Sequence, residues 1–149
     1  AVGDLVTVSG SASNNSTFTV STVVSTTELT VAQVVTSENA DGSSTITLDH
    51  VGFVSDKAKG DGYYSQPDGV HTVAYQVAND FNANATIKMQ GTLATTPTED
   101  DWFDIANTTF TADGSTVTSS YNFTGNYVWV RSKTQSLTAG TTNSILLNS

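Results

Sequence analysis

The sequence predicts an all-β chain with essentially no helix: a small N-terminal β module followed by an antiparallel β-sandwich. Three observations lead there. Apolar and polar residues alternate in short runs, the period of a pleated strand with one face in water. Thr and Ser supply 26 and 18 of the 149 residues while only 13% are charged, and β-branched Thr beside Val suits a half-solvated sheet. Turn signals rich in Gly, Asn and Asp separate the runs, and no segment repeats its apolar residues at helical spacing.

The elements follow in order. Asp4 to Ser9 alternates, and Gly10 to Asn15 breaks it. The next strand sets Phe18, Val20 and Thr22 on one face against Thr17, Thr19 and Ser21. A third sets Leu29, Val31 and Gln33 against Thr30, Ala32 and Val34. After an Asp41-Gly42 turn, Ser44 to Asp49 forms a fourth, with Ile46 and Leu48 inward. Val51 to Gly69 loses the alternation and reads as a loop or linker closed by Asp68-Gly69 after Pro67. Beyond it, Val70 to Ala78 places His71, Val73, Tyr75 and Val77 on one face, and Ala85 to Gln90 does so with Ile87 and Met89. Asp101 to Ala106, Phe110, Ser115 to Phe123, Asn126 to Lys133 and finally Ile145 with Leu147 complete the pattern. The expected division is a module over 1–51, a linker over 52–68 and a sandwich over 69–149.

Charge narrows the function. Five Lys and Arg against 14 Asp and Glu give a net charge of −9, the wrong sign for a nucleic-acid backbone. No apolar run approaches the ~20 residues of a membrane-spanning helix, and no signal segment stands at the N-terminus. Without cysteine there are no disulfides and no thiol chemistry, and two histidines, His50 and His71, are few for zinc. No cofactor is expected.

Two stretches carry resemblances. Gly3 to Val20, followed by Leu29-Thr30-Val31, resembles a small β module common in tailed-phage structural proteins, with Ser16 where those modules carry Gly. Positive φ at that turn would strain a serine. Ile87 to Leu93, Asp101 to Ile105 and Gly125 to Arg131 look like the strand signature of a discoidin-like jelly roll. The ending Thr138 to Leu147 is similar to virion structural proteins of marine, contractile-tailed phages related to T-even phages. These resemblances imply a virion component with a jelly-roll-like sandwich.

Candidate sites are few. Glu99, Asp100, Asp101 and Asp104 form the densest carboxylate group, a calcium loop or simply an acidic turn before a strand. With 14 acids, no carboxylate pair is singled out for glycoside hydrolysis. A Ser–His–Asp triad is formally available to His50 or His71, yet no Gly-x-Ser-x-Gly elbow is present. His71 reads as a histidine near a sheet edge. Trp102 and Trp129 read as core between sheets, or as a sugar-stacking platform. Arg131 reads as a surface ion-pair member or an interface residue. Tyr63 and Tyr64, adjacent in a loop, are the preferred contact residues, since tyrosine is enriched at interfaces; folding back over the core is the alternative. Five Asn-x-Ser/Thr triplets (Asn14, Asn15, Asn84, Asn107, Asn122) arise readily in so hydroxyl-rich a chain.

The expected function is therefore a non-enzymatic virion structural protein: capsid decoration or cement, or a collar or tail-fibre component. Its expected partners are other virion proteins and copies of itself, bound through Tyr63, Tyr64 and Arg131, and its expected location is the extracellular particle. The alternatives are a carbohydrate-binding module for glycan attachment and a donor-strand filament subunit.

Overall fold

The computed structural model describes residues 1–39, 45–65 and 69–148. The expected turn at Asp41-Gly42, the start of the fourth strand at Ser44, the Pro67-Asp68 closure and Ser149 lie outside them.

Among the described residues the chain forms β1 (Asp4–Ser9), β2 (Thr17–Val23), β3 (Leu29–Val31), β4 (Thr47–Val54), β5 (Ala58–Lys59), β6 (Val70–Val77) and β7 (Thr86–Thr92). They continue with β8 (Phe103–Asp104), β9 (Phe110–Thr111), β10 (Thr118–Thr124), β11 (Trp129–Gln135) and β12 (Thr142–Asn148). The only helical turns among them are two short 3-10 segments, Asp61–Tyr64 and Glu99–Asp101. The protein is an all-β antiparallel sandwich. One sheet runs β3-β2-β1-β4-β11-β7-β8, with β5 also pairing β11 and β9 pairing β7; the other runs β10-β6-β12. From β6 onward the chain crosses between the layers four times, with β6, β10 and β12 in the small sheet and β7, β8, β9 and β11 in the large one.

Strand periodicity dictates what that core contains. His71, Val73, Tyr75 and Val77 of β6 all point inward and are buried, as alternation predicted, and meet Ile87 and Met89 of β7 and Val130 of β11. Burying one such aliphatic side chain stabilises by roughly 1.5–3 kcal/mol. The Tyr75 hydroxyl donates to the Thr108 carbonyl (2.8 Å), so this polar tip is satisfied where water cannot reach. Burial pushes its pKa well above the ordinary tyrosine range.

A second, smaller core gathers Val6, Phe18 and Val20, with Val8 and Val31 against it. The expected 51/52 boundary therefore separates two apolar clusters but not two sheets. β4 runs on to Val54 and pairs with β11 (Val54 with Lys133, Phe53 with Thr134, Gly52 with Gln135). Within the expected linker, β5 pairs Ala58 and Lys59 with Val130 and Trp129. The short charged-and-glycine stretch lacks alternation because only two of its residues join a ladder.

Three further expectations are revised. Ile46 and Leu48 are 60% and 51% exposed rather than inward. The third strand stops at Val31. Ser16 is absent from the positive-φ residues, so the turn that resembles a glycine turn carries serine without strain.

At the seam, Gly52 has φ +152°, and a Cβ there would lie 2.0 Å from the Thr134 carbonyl oxygen. Gly52→Ala is expected to destabilise the protein by at least the ~1–3 kcal/mol of a strained backbone residue, read as a lower urea midpoint. A single cooperative transition in the parent chain, by both tryptophan fluorescence and circular dichroism, is the accompanying expectation, because the seam couples the two clusters.

Candidate functional site

The outward face of the large sheet carries the chemistry. Along β11 the alternation that sends Val130, Ser132 and Thr134 inward sends Trp129, Arg131 and Lys133 outward, opposite Thr92, Gln90 and Lys88 of β7. A short run of β11 thus supplies core and surface at once.

Arg131 corrects its expected place. It is only 7% exposed, held by two bonds to Glu99 (2.9 Å each) and one from Nε to the Gln90 side-chain oxygen (3.0 Å). Its guanidinium lies 4.2 Å from the centre of the Trp102 ring. The fork-on-fork geometry suits a planar guanidinium. Gln90 passes the network on to Asp104 (2.9 Å), which also takes Lys88 (2.5 Å). Hydrogen bonds from Arg131 hold the Glu99 carboxyl below its ordinary pKa, against the opposing effect of burial. Burial, with Lys88 opposite, lowers the pKa of Lys133.

The acidic group divides its partners accordingly. Glu99 faces Arg131, Asp104 faces Lys88 and Gln90, and Asp101 turns back to accept from the Thr98 backbone N–H and hydroxyl (2.7 and 2.8 Å). Among the described residues no three His, Asp or Glu side chains converge as metal ligands.

Trp129 and Trp102 both lie outside the core, contrary to the expected packing between sheets. Tyr63 packs on Trp129 with ring centres 4.7 Å apart, and Tyr64 meets Tyr63 edge-on at 5.3 Å. Lys57 sits 4.4 Å over the Trp129 ring, and Lys59 4.2 Å over Tyr63 and 5.5 Å over Tyr64. The result is a stack in which cations and rings alternate, each contact worth about 0.5–1 kcal/mol at such exposure. Pairing of β5 with β11 builds it, setting Lys59 directly across from Trp129, while the 3-10 turn delivers the tyrosines. Tyr63 and Tyr64 are 42% and 59% exposed, so they cap a surface cluster and do not fold into the core.

Lys57 also borders a groove of about 280 Å³, lined further by Asp56, Glu99, Trp102, Arg131 and Thr19. The Trp129 N–H donates to the Thr95 carbonyl (3.0 Å). No such bond engages the Trp102 N–H among the described residues. Aromatic rings, cations and carboxylates therefore share one region of the surface, able to stack on a flat apolar group and hydrogen-bond its polar rim.

No family model, curated protein or solved structure is measurably similar to this chain.

The histidines lie away from this face. His71 is fully buried on the central strand of the small sheet, not near an edge. It stacks on Phe123 at 4.9 Å, with Nε2 3.3 Å from the Gly125 carbonyl and 3.5 Å from an Asp61 oxygen. Two acceptors at Nε2 require the proton there; Nδ1 has no hydrogen-bond partner among the described residues. His50 is half-exposed beside Asp4 (3.6 Å).

The Arg131–Glu99 pair generates a pH expectation. A carboxyl whose folded pKa is depressed contributes stability above its unfolded pKa and loses it as pH falls through the folded value. The melting temperature is expected to drop on acidification below about pH 4.5, the ordinary value for glutamate, and to drop less in Glu99→Gln. Arg131→Met, which leaves a mostly buried carboxylate unpaired, is expected to cost about 3 kcal/mol at pH 7 by urea titration, more than Glu99→Gln.

Proposed function

We propose that the chain is a non-enzymatic virion structural protein of a tailed phage, a capsid decoration, collar or tail-fibre component that works by contact. The resemblances of residues 3–20 and 87–131 supply the setting. The observation that carries the reading is the Lys57–Trp129–Tyr63–Lys59–Tyr64 stack: large, rotor-poor aromatic area held half-exposed by its own cations, as contact surfaces require. On a repeating lattice each copy needs only modest affinity, because many contacts act together.

A second reading, saccharide attachment, gains specific support from the groove beside the stack. Trp102, one face of its ring covered by Arg131, lines that groove together with Lys57 and Glu99, the combination of apolar surface and polar rim that a sugar ring meets.

Tyr63→Ala/Tyr64→Ala is expected to weaken binding to purified particles stripped of the protein at least tenfold, measured by co-sedimentation, with a loss of stability in urea no larger than the ~1–3 kcal/mol of the ring and cation contacts removed. Retained binding sinks the contact role. Trp102→Phe keeps a ring but loses the N–H, and is expected to abolish any signal on a glycan array; an array blank for the parent chain removes the saccharide reading and leaves the lattice reading standing.

A further inference from the structure

Charge is divided unevenly along this chain. Residues 1–56 hold six of the 14 acids and neither Lys nor Arg, and all five cations follow. Of those five, Lys88 and Arg131 face carboxylates. Lys57 and Lys59 instead stand exposed over the rings of the aromatic stack, with no ion-pair partner among the described residues. An acidic protein thus carries one aromatic surface with unspent positive charge.

The N-terminal strands carry the counterpart. An open groove of about 400 Å³ lies among Val6, Val8, Phe18, Leu29, Val31 and Leu48. Leu48 and Val35, both on its walls, are 51% and 53% exposed, and contiguous apolar surface of this kind marks interaction sites. Acids border it. Glu28 directly precedes Leu29, and Glu38 accepts a hydrogen bond from the side chain of Asn14, another lining residue. An occupant that matches this groove offers apolar area and positive charge together, which is what the stack presents.

We infer that the aromatic–lysine stack of one copy docks in the apolar, acid-rimmed groove of the next, so that the chain assembles head to tail. Tyr64, the more exposed of the two tyrosines, enters the groove, and Lys57 and Lys59 meet its acidic rim. Strand register makes the contact one-way. Asp4 pairs with Phe53, which packs on the main core, so alternation turns Val6 and Val8 to the core-facing side of the large sheet. The stack stands with Trp129 on the opposite side. Two patches on opposite faces of one sheet cannot close a two-fold dimer, and such a contact propagates into a ring or an open row. This inference rests on the contact role proposed for the stack and names what it contacts.

Sedimentation velocity of the full chain over a concentration series tests it. The mass is expected to grow with concentration past that of a dimer, and association to weaken about tenfold in ~1 M sodium chloride, which screens exposed charges. Leu48→Lys puts a cation in the groove and Tyr64→Ala removes the entering ring; each variant alone is expected to stay monomeric. Mixed, they are expected to form one-to-one dimers and nothing larger, because each supplies the surface the other lacks. Val35→Lys replaces Leu48→Lys should that variant fail to fold. A parent mass independent of concentration, a parent that stops at a dimer, or variants that stay apart when mixed would each overturn the assignment. A monomeric parent that still loses particle binding in Tyr63→Ala/Tyr64→Ala overturns head-to-tail docking alone. Self-association with particle binding retained in that variant removes the virion contact and leaves the docking standing.

Discussion

Everything in this molecule hangs on β11. Its pairing with β7 on one side and with β4 and β5 on the other joins the N-terminal strands to the sandwich. The inward residues of β11 complete the core, and its outward residues anchor the polar network and the aromatic stack. Because side chains on a strand alternate strictly, a slip of one residue would turn Val130 to solvent and Arg131 into the core. Core burial thus specifies the register, and the register positions the surface chemistry.

The outward face balances desolvation against pairing. Arg131 is nearly buried, a position that costs several kcal/mol for an unpaired charge. Glu99, Gln90 and the Trp102 ring offset that cost by satisfying its donors and covering its plane. The short turn Glu99–Asp101 is held in turn by the capping contacts between Thr98 and Asp101. A rigid turn therefore presents Glu99 to Arg131, and the groove beside Trp102 inherits that rigidity. The Tyr63–Tyr64 turn is likewise tied down, by Asp61 accepting from the Gly69 N–H at 2.6 Å and lying beside buried His71. Both surface features are clamped to the core by a carboxylate.

The unequal layers give the fold its other distinctive property. A three-stranded sheet cannot cover the inward face of the longer sheet opposite it. In the N-terminal half the loop after β3 is pinned by Glu38, which accepts from Ser11 (2.5 Å), Ala12 (2.8 Å) and Ser13 (3.1 Å), and the apolar face beside it keeps a groove of about 400 Å³ lined by Val6, Val8, Phe18, Val31 and Leu48. The cleft beside β12 opens where the small sheet ends. Its openness is a matter of topology rather than of any one residue.

How much of this was legible beforehand follows from the range of the forces involved. Alternation is local, so β6, β7 and the inward sets His71–Val77 and Ile87–Met89 could be read directly. The turn residues between them marked the strand ends to within a few positions. The all-β class also follows from composition and period. Two adjacent aromatics in a run without strand pattern left Tyr63 and Tyr64 between a contact surface and folding back over the core, and only the tertiary structure decides for exposure. Arg131 could not, because its burial depends on Glu99, 32 residues away, closing over it. Nor could the site of Trp129, since an alternating strand states which residues share a face and not which face meets the second sheet. The joining of β4 to β11, the stacking of lysines on rings from separate segments and the open edge at β12 are all long-range pairings. They arise from the relative placement of strands, which is decided only when the whole chain has buried its apolar surface.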